Sequence, residues 1–423
     1  MTRPIIPILP VGKPPAAGAS GLTSLPPLSL YVHFPWCVRK CPYCDFNSHE
    51  AGPHPHPRSP EGRGERPGAL RAQAGTGGIP EDAYVAALIK DLEASLPQIW
   101  GRRVGTIFIG GGTPSLMSPA ALDALLGAVR ARLTVNPDAE VTLEANPGTV
   151  EAERFRGYRE AGVNRLSLGI QSFDDEKLKA LGRIHGGDEA RRAIAVAQRH
   201  FERVNLDLMY ALPQQSLDEA RRDLEEAVAF GTSHLSAYHL TLEPNTRFHH
   251  DPPPLPDADA AADMQDMVEE TLVGAGFRHY ETSAFAKPGQ ECRHNLNYWH
   301  FGDYLGIGAG AHGKISSAFG ILRDTRPRQP QAYMDAATAG TLLQDQRPVG
   351  QEELPFEFMM NALRLVDGFA TPLFQERTGL PLITVRRELD EAQRRGLLTV
   401  TPQRIAPTEQ GRRFLNDLLE IFL

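Results

Sequence analysis

The sequence predicts an α/β fold: a partial (β/α)6 barrel of parallel strands, followed by a small, mainly helical, winged-helix-like C-terminal domain. Three observations carry this. Apolar segments of strand length alternate with helical patterns between residue 28 and residue 240. There are six such segments, too few for a standard eight-fold barrel but suited to an open or partial one. Residues 351–423 then read as helix, short hairpin, helix. Strands alternating with helices make a parallel sheet with right-handed crossovers.

The strands are, in order, LSLYVHF at 28–34, VGTIFIG at 104–110, EVTLEA at 140–145, NRLSLGI at 164–170, RVNLDLMY at 203–210 and HLSAYHL at 234–240. Each reads as a buried strand. PAALDALLGAVRARL and SLDEARRDLEEAVAF carry helical periodicity between them. The second opens on Ser216 with Glu219 three residues on, a capping-box pattern. In the C-terminal domain Phe414, Leu415, Leu418, Leu419 and Phe422 trace one apolar helical face. The expected organisation is an unfolded segment at 1–26, a core at 27–315, a linker at 316–350 and the last domain at 351–423. An unfolded insertion is expected at 51–80, whose seven Gly and six Pro bring almost no large apolar side chain to offset the entropy of ordering.

Composition bounds the function. Of 423 residues, 41 % are hydrophobic and 23 % charged, as in ordinary globular proteins. The net charge of −8, from 44 basic and 52 acidic residues, offers no general attraction to nucleic acid or anionic membrane. Residues 351–423 hold nine basic and eleven acidic residues, so the winged-helix pattern lacks a basic footprint for DNA and reads as a lid or docking module. No apolar run approaches the ~20 residues that cross a bilayer. Prolines at 4, 7 and 10 interrupt the N-terminus as a secretory signal. A cytoplasmic protein is expected, reaching a membrane only through partners.

In folds of this class chemistry gathers at the carboxyl ends of the strands. Here those ends carry the cysteines, GGGTPS at 110–115, Glu144 and Asn146, Gln171 and Ser172, Asp207, and Tyr238 with His239. Six polar strand ends on one rim outline a pocket. Three of the four cysteines, Cys37, Cys41 and Cys44, fall within eight residues after the first strand. A C-x3-C-x2-C run can converge its thiolates on one metal centre. A structural zinc completed by His49 as Cys3His is one reading. An iron–sulfur cluster held by three thiolates, with one iron left open, is the other.

C-x3-C-x2-C after a strand, with a glycine-rich second strand end, resembles the radical S-adenosylmethionine (SAM) superfamily. With GGGTPS, LEANPGT, RLSLGIQSF, LGRIH and DLMYALP in order, residues 28–315 resemble the oxygen-independent coproporphyrinogen III oxidase-like family. The resemblance implies that Cys37, Cys41 and Cys44 ligate a 4Fe-4S cluster whose open iron chelates SAM. It implies SAM contacts for Tyr31, Tyr43, Gly111, Gly112, Thr113 and Glu144, and a second SAM site lined by Gln171, Arg183 and Asp207. The residues alone allow an Arg183–Asp207 ion pair and a helix cap at Gln171 instead.

The oxidases of this family resemble C-x3-C-x2-C-x-C, whereas residue 46 here is Phe. A phenyl ring neither ligates iron nor relays a proton. CDFNS is similar to the heme-chaperone branch of the family, which implies heme as cargo and heme-accepting proteins as partners. HNLNY, with His294, Asn295 and Tyr298, resembles that branch's heme-binding motif, and an imidazole is a standard axial ligand. Cys292 is a rival ligand, and a bracing role for His294 and Asn295 is the alternative. YLGIGAGAH at 304–312 permits close backbone approach beside the barrel and cofactor. Three functions follow as alternatives: heme carrier, coproporphyrinogen-decarboxylating enzyme and RNA-modifying radical enzyme. Phe46 disfavours the second, and the missing basic surface the third.

Overall fold

The computed structural model describes residues 21–51, 78–149 and 152–423. Residues 1–20 and 52–77, where most of the two unfolded segments are expected, lie outside the described residues. The edge of the expected insertion is part of the fold: Ile79 is buried in the main core, and Ala51 packs against it.

All six expected strands form. They are β1 (Leu28–Phe34), β2 (Arg103–Gly111), β3 (Thr134–Ala145), β4 (Arg165–Gln171), β5 (Arg203–Tyr210) and β6 (His234–His239). They pair side by side, in that order and all parallel. The antiparallel pair β7 (Arg278–Glu281) and β8 (Ala284–Ala286) extends the sheet beyond β6. Beyond β1 lies a seventh parallel strand, β9 (Asp303–Ile307), and then the antiparallel β10 (His312–Ser317), β11 (Gly320–Thr325) and β12 (Asp345–Pro348). The segment 316–350, expected as a linker, is therefore sheet and helix: it carries β11, β12 and the helix Pro330–Ala339. Its short strands have too few residues to declare a period.

Side-chain alternation divides this sheet into two faces. Leu30, Val32, Ile107, Ile109, Leu143, Leu166, Leu168 and Leu206 point to one face and join the main core. The helices Glu81–Ser95, Pro119–Arg132, Ala152–Ala161, Gly187–His200, Leu217–Ala229 and Ala258–Gly274 contribute the other side of that core. Local signals fix where two of these helices start. Ser118 caps the second by accepting from the Ala121 N–H, and Ser216 with Glu219 forms the expected capping box. The opposite face carries Tyr31, His33, Thr106, Glu140, Glu144, Arg165, Ser167, Asn205, Asp207 and His234. In register these include the neighbour pairs Ser29–Thr106, Thr106–Glu140, Ser167–Asn205 and Asn205–His234. Groups on non-adjacent strands act on one another across this face, as the charge of Glu144 bears on both Tyr31 and Tyr238, so it is the inside of a partial barrel.

The C-terminal domain has its own core, built around Phe358, Phe369, Phe374, Leu389 and Leu418. Its small sheet orders β13 (Phe369–Ala370), β15 (Arg404–Pro407) and β14 (Leu398–Val400) side by side. The final helix is interrupted: Phe414 leaves helical geometry at φ −113°, ψ 47° between Glu409–Arg413 and Leu415–Glu420. Phe414 is consequently exposed, unlike Leu418 and Phe422 on the same expected face. Phe301, ahead of β9, packs edge-on against Phe358 and ties this domain to the barrel. No helix among the described residues is long and apolar enough to cross a membrane.

Leu166 is fully buried on the apolar face of β4, a central strand. Leu166→Ala should lower the unfolding free energy by about 2–5 kcal/mol, the range for emptying a packed leucine site. Urea titration followed by circular dichroism checks this; a loss below about 1 kcal/mol contradicts the packing described.

Candidate functional site

The cysteine loop leaves β1 and folds back on itself. Trp36–Cys37 pairs with His49–Glu50 in a two-residue parallel ladder, and the Cys44 N–H donates to the Cys41 carbonyl at 3.2 Å. Asn47 pins the loop to the barrel. Its Nδ2 donates to the carbonyls of Ala309 and Arg328, each at 2.9 Å, and its own carbonyl meets His33 Nε2 at 2.9 Å. This contact explains the small residues of GIGAGAH. Gly310 has φ +78°, and a Cβ there would stand 2.3 Å from Asn47 Nδ2.

Cys37, Cys41 and Cys44 are half-buried and free. Burial pushes the Cys37 thiol up despite the Thr113 hydroxyl beside it. Burial likewise pushes Cys44 up to about 11, although the Phe46 backbone N–H opposes this. A bound metal is what would draw such thiols into the thiolate form. Among the described residues no three His, Cys, Asp or Glu side chains gather closely enough for a single ion. His49 turns its Nε2 to the Arg328 carbonyl at 3.3 Å, so the Cys3His zinc reading gains no support. A multi-iron cluster is wider than one ion, and three thiols on a folded-back loop suit it.

Arg183 joins this loop to the strand ends. Its Nη1 lies 3.7 Å from Cys41 Sγ, and its Nη2 donates to Asn146 Oδ1 and the Gly169 carbonyl, both at 2.8 Å. The Tyr43 hydroxyl faces both Arg183 and Cys41. Asn146 in turn donates to the Thr113 hydroxyl at 2.9 Å. The cysteine loop, the glycine loop, the end of β3 and Arg183 thus form one connected rim. The close turn of the glycine loop is obligatory: a Cβ on Gly112 would stand 2.5 Å from the Trp36 carbonyl.

Glu144 accepts the Gly111 N–H at 3.1 Å. Burial, with the neighbouring Asp207, pushes its carboxyl up to about 8. Asp207 does not pair with Arg183; it accepts from Ser167 at 2.9 Å and Asn205 at 2.8 Å. Gln171 caps no helix, since Asp174 does so. It stands at φ +64°, just past a register shift, where it still pairs with Leu208 of β5. Its Oε1 is buried without a partner, as is Arg183 Nε. Non-glycine residues in the left-handed region and orphaned buried polar atoms concentrate at binding sites. These two atoms beside the cysteine loop fit a polar ligand such as SAM. Tyr31 lies deeper, with its hydroxyl 2.9 Å from His33 Nδ1. Ser172, expected on the rim, is instead fully buried and donates to Asp223 at 2.5 Å.

The HNLNY residues lie at the other end of the barrel. Helix Arg293–Trp299 closes the inside at the strand starts. His294 Nδ1 meets the Thr106 hydroxyl at 2.8 Å, and its Nε2 meets the Tyr298 hydroxyl at 3.1 Å. Only 1 % of His294 is exposed, and burial pushes its imidazole down to about 3. Both ring nitrogens are occupied in this conformation, in which His294, the expected axial ligand, and Tyr298 hold each other. They brace the barrel floor. Asn295 presents its backbone N–H to the Cys292 sulfur, which is itself buried 3.6 Å from Glu140 Oε1.

Sequence reasoning missed His33, Asn47 and the floor group Glu140, Arg165 and Arg203. Glu140 pairs with Arg203 at 2.8 Å and accepts the Arg293 and His294 N–H groups at 3.2 and 3.0 Å. The available signal was polar residues at alternate positions inside strands otherwise apolar.

Residues 31–227 match the family model described as the radical SAM superfamily, and residues 349–414 that of the HemN C-terminal domain. Heme chaperone HemW of Escherichia coli (strain K12) is 51 % identical over 407 residues, covering 95 % of this chain and 100 % of that protein. Heme chaperone HemW of Mycobacterium tuberculosis (strain ATCC 25618 / H37Rv) is 34 % identical over 415 residues, covering 95 % and 97 %. Among solved structures, coproporphyrinogen III oxidase (HemN) from Escherichia coli superposes with a TM-score of 0.75 over 94 % of this chain and 90 % of its own. At 21 % identity that likeness speaks for the fold.

Glu144 carries a pH signature. Its folded carboxyl titrates near 8, above the ordinary 4.5, so the folded state holds a proton that the unfolded state releases between those values. Stability of the metal-free protein should therefore be full below about pH 4.5 with respect to this group, and fall as pH rises toward 8. Glu144→Gln should flatten that fall in thermal melts; an identical pH slope in both proteins contradicts the assignment.

Proposed function

The chain belongs to the family of the heme chaperone HemW, within the radical SAM superfamily, and we propose that it binds heme and hands it to heme-accepting proteins. The observation that carries this reading is residue 46 in an otherwise complete rim. Phe46 is 59 % exposed on the cysteine loop, where the oxidases resembled above have a fourth cysteine. Its backbone N–H still serves Cys44, but its side chain brings no thiol to the pocket. The rim thus keeps what a cluster and SAM need and lacks one group tied to decarboxylation.

In this reading Cys37, Cys41 and Cys44 hold a 4Fe-4S cluster, which when bound supplies an electron and an open iron position for SAM. The chain's own residues do the rest. Arg183 places positive charge beside Cys41 and fixes Asn146 and the carbonyl of Gly169. Glu144 offers a carboxyl oxygen, already oriented by the Gly111 N–H, and an ammonium group beside it would favour its ionised form. Gln171 presents a buried carbonyl with no protein donor. The polar barrel interior below the rim stays closed by the floor helix, so ligands enter from the strand ends.

The test is a pair of measurements on anaerobically reconstituted protein. Heme-loaded protein mixed with an apo-hemoprotein should lose heme to it, while coproporphyrinogen III is left unconverted. Conversion of coproporphyrinogen with no heme transfer contradicts the proposal. Cys37→Ser, Cys41→Ser and Cys44→Ser should each lose the cluster's iron and its broad visible absorbance. Retention of both in all three variants removes the cluster from the account.

A further inference from the structure

Beneath the barrel floor, on the side away from the cysteines, lies a cavity of about 480 Å³. The hollow beside Cys41 offers about 20 Å³. Only the former falls in the range of roughly 300–1,000 Å³ typical of small-molecule pockets. Its walls are the starts of β1 and β2, the floor helix Arg293–Trp299, and the helix Thr371–Thr378 of the C-terminal domain.

The floor helix has two working faces. His294 and Tyr298, one turn apart, point into the barrel. Arg293, Leu296, Asn297 and His300, at i, i+3, i+4 and i+7, line the cavity. That spacing is one side of a helix. Pro27, Leu28, Leu296 and Leu373 give the cavity an apolar surface. Three cationic or basic groups stand in it, Arg293, His300 and Arg377, and no Asp or Glu lines it. This is a basic chamber in a chain of net charge −8.

Each of these groups is available. Arg377 donates its Nε to the His300 carbonyl at 3.3 Å and makes no ion pair among the described residues, leaving its two terminal nitrogens for a ligand. Arg293 uses its Nη1 on the exposed Asp138, donating to the carbonyl at 2.7 Å and the carboxylate at 3.3 Å, and its Nη2 makes no hydrogen bond among the described residues. The His300 ring has one partner, the Leu296 carbonyl one turn back, which takes one ring N–H and leaves the other nitrogen open. Burial and the charge of Arg377 push its imidazole down, keeping it neutral, the form that ligates a metal.

We propose that this cavity is the heme site. His300 is an axial ligand, the apolar wall covers the macrocycle, and Arg293 and Arg377 face the two propionates. The proposal rests on the heme-carrier reading above and deepens it. An amphipathic, planar dianion with a metal centre is what an apolar slot with two arginines and an imidazole with one open nitrogen selects. His294 and Tyr298 are then positioning residues: they anchor to the floor the helix whose other face receives heme.

The test is a hemin titration of the full chain, read by Soret absorbance. His300→Ala should shift the band and weaken binding by roughly tenfold or more, the scale on which even outer partners of a metal ligand act. In His300→Gly, added imidazole should restore the wild-type spectrum, which repair of a merely structural defect would not do. Leu373→Trp, filling the slot, should abolish binding with the thermal melt unchanged. His250→Ala, at an exposed imidazole beside His249, should change nothing. Wild-type affinity and spectrum in both His300→Ala and Leu373→Trp, or loss of the band in His250→Ala instead, overturns this site and leaves the carrier function standing. Absence of heme binding in the wild type overturns both.

Discussion

One buried carboxylate organises the molecule. Glu140 lies inside the barrel at the strand starts, where burial works against its charge. The guanidinium groups of Arg165 and Arg203 and the N–H groups of His294 and Arg293 outweigh that cost and hold it below the ordinary carboxylate range. Removing one partner from such a buried group typically costs about 3–5 kcal/mol. The arrangement therefore holds the start of helix 293–299 against β3 and β5. A barrel of parallel strands that stays open along one side is thereby closed at one end. Everything above the floor faces the cysteine rim; everything below it faces the C-terminal domain.

The two ends then acquire different chemistry from the same construction. At the rim, strands end in polar and glycine residues, and the cysteine loop, Thr113, Asn146 and Arg183 connect into one hydrogen-bonded ring. At the floor, Asp303 is held by Lys314 at 2.9 Å and Arg102 at 2.7 Å, and Phe301 packs on Phe358. The Phe301–Phe358 contact, with the Arg377 bond to the His300 carbonyl, fixes the C-terminal domain against the strand starts rather than over the rim. The domain is thus a wall of the lower chamber, whereas the sequence reads as a lid or docking module over the active-site mouth. Its surface charge agrees with that placement, since nothing in it resembles a nucleic-acid footprint.

Much of this is written in the sequence. The six strands fall within a few residues of the apolar runs that announce them, because a parallel strand packed against helices needs a near-continuous apolar register. The cysteine spacing and GGGTPS are equally legible, since ligand geometry and close backbone approach tolerate few substitutes. The polar inside of the barrel is harder to see: Ser167, Asn205 and Asp207 alternate with leucines that dominate the run. The strands β10, β11 and β12 were invisible because, at four to six residues, they are too short to declare a period. HNLNY was legible as a motif but not as a place. A seven-residue helix presents two faces, and only the structure shows that His294 looks into the barrel while His300 looks out. Phe414 shows the same limit, because a break between two helices does not interrupt an apolar pattern.

The central claim is spatial: cluster and heme are served by opposite ends of one barrel, separated by the floor. Hydrogen exchange of the full chain, with and without bound heme, tests it directly. Heme should slow exchange in the floor helix 293–299 and in the helix 371–378, and leave 37–49 and 111–113 as they were. Slowing confined to the cysteine and glycine loops, with the floor helix unchanged, would place heme at the rim and contradict the account.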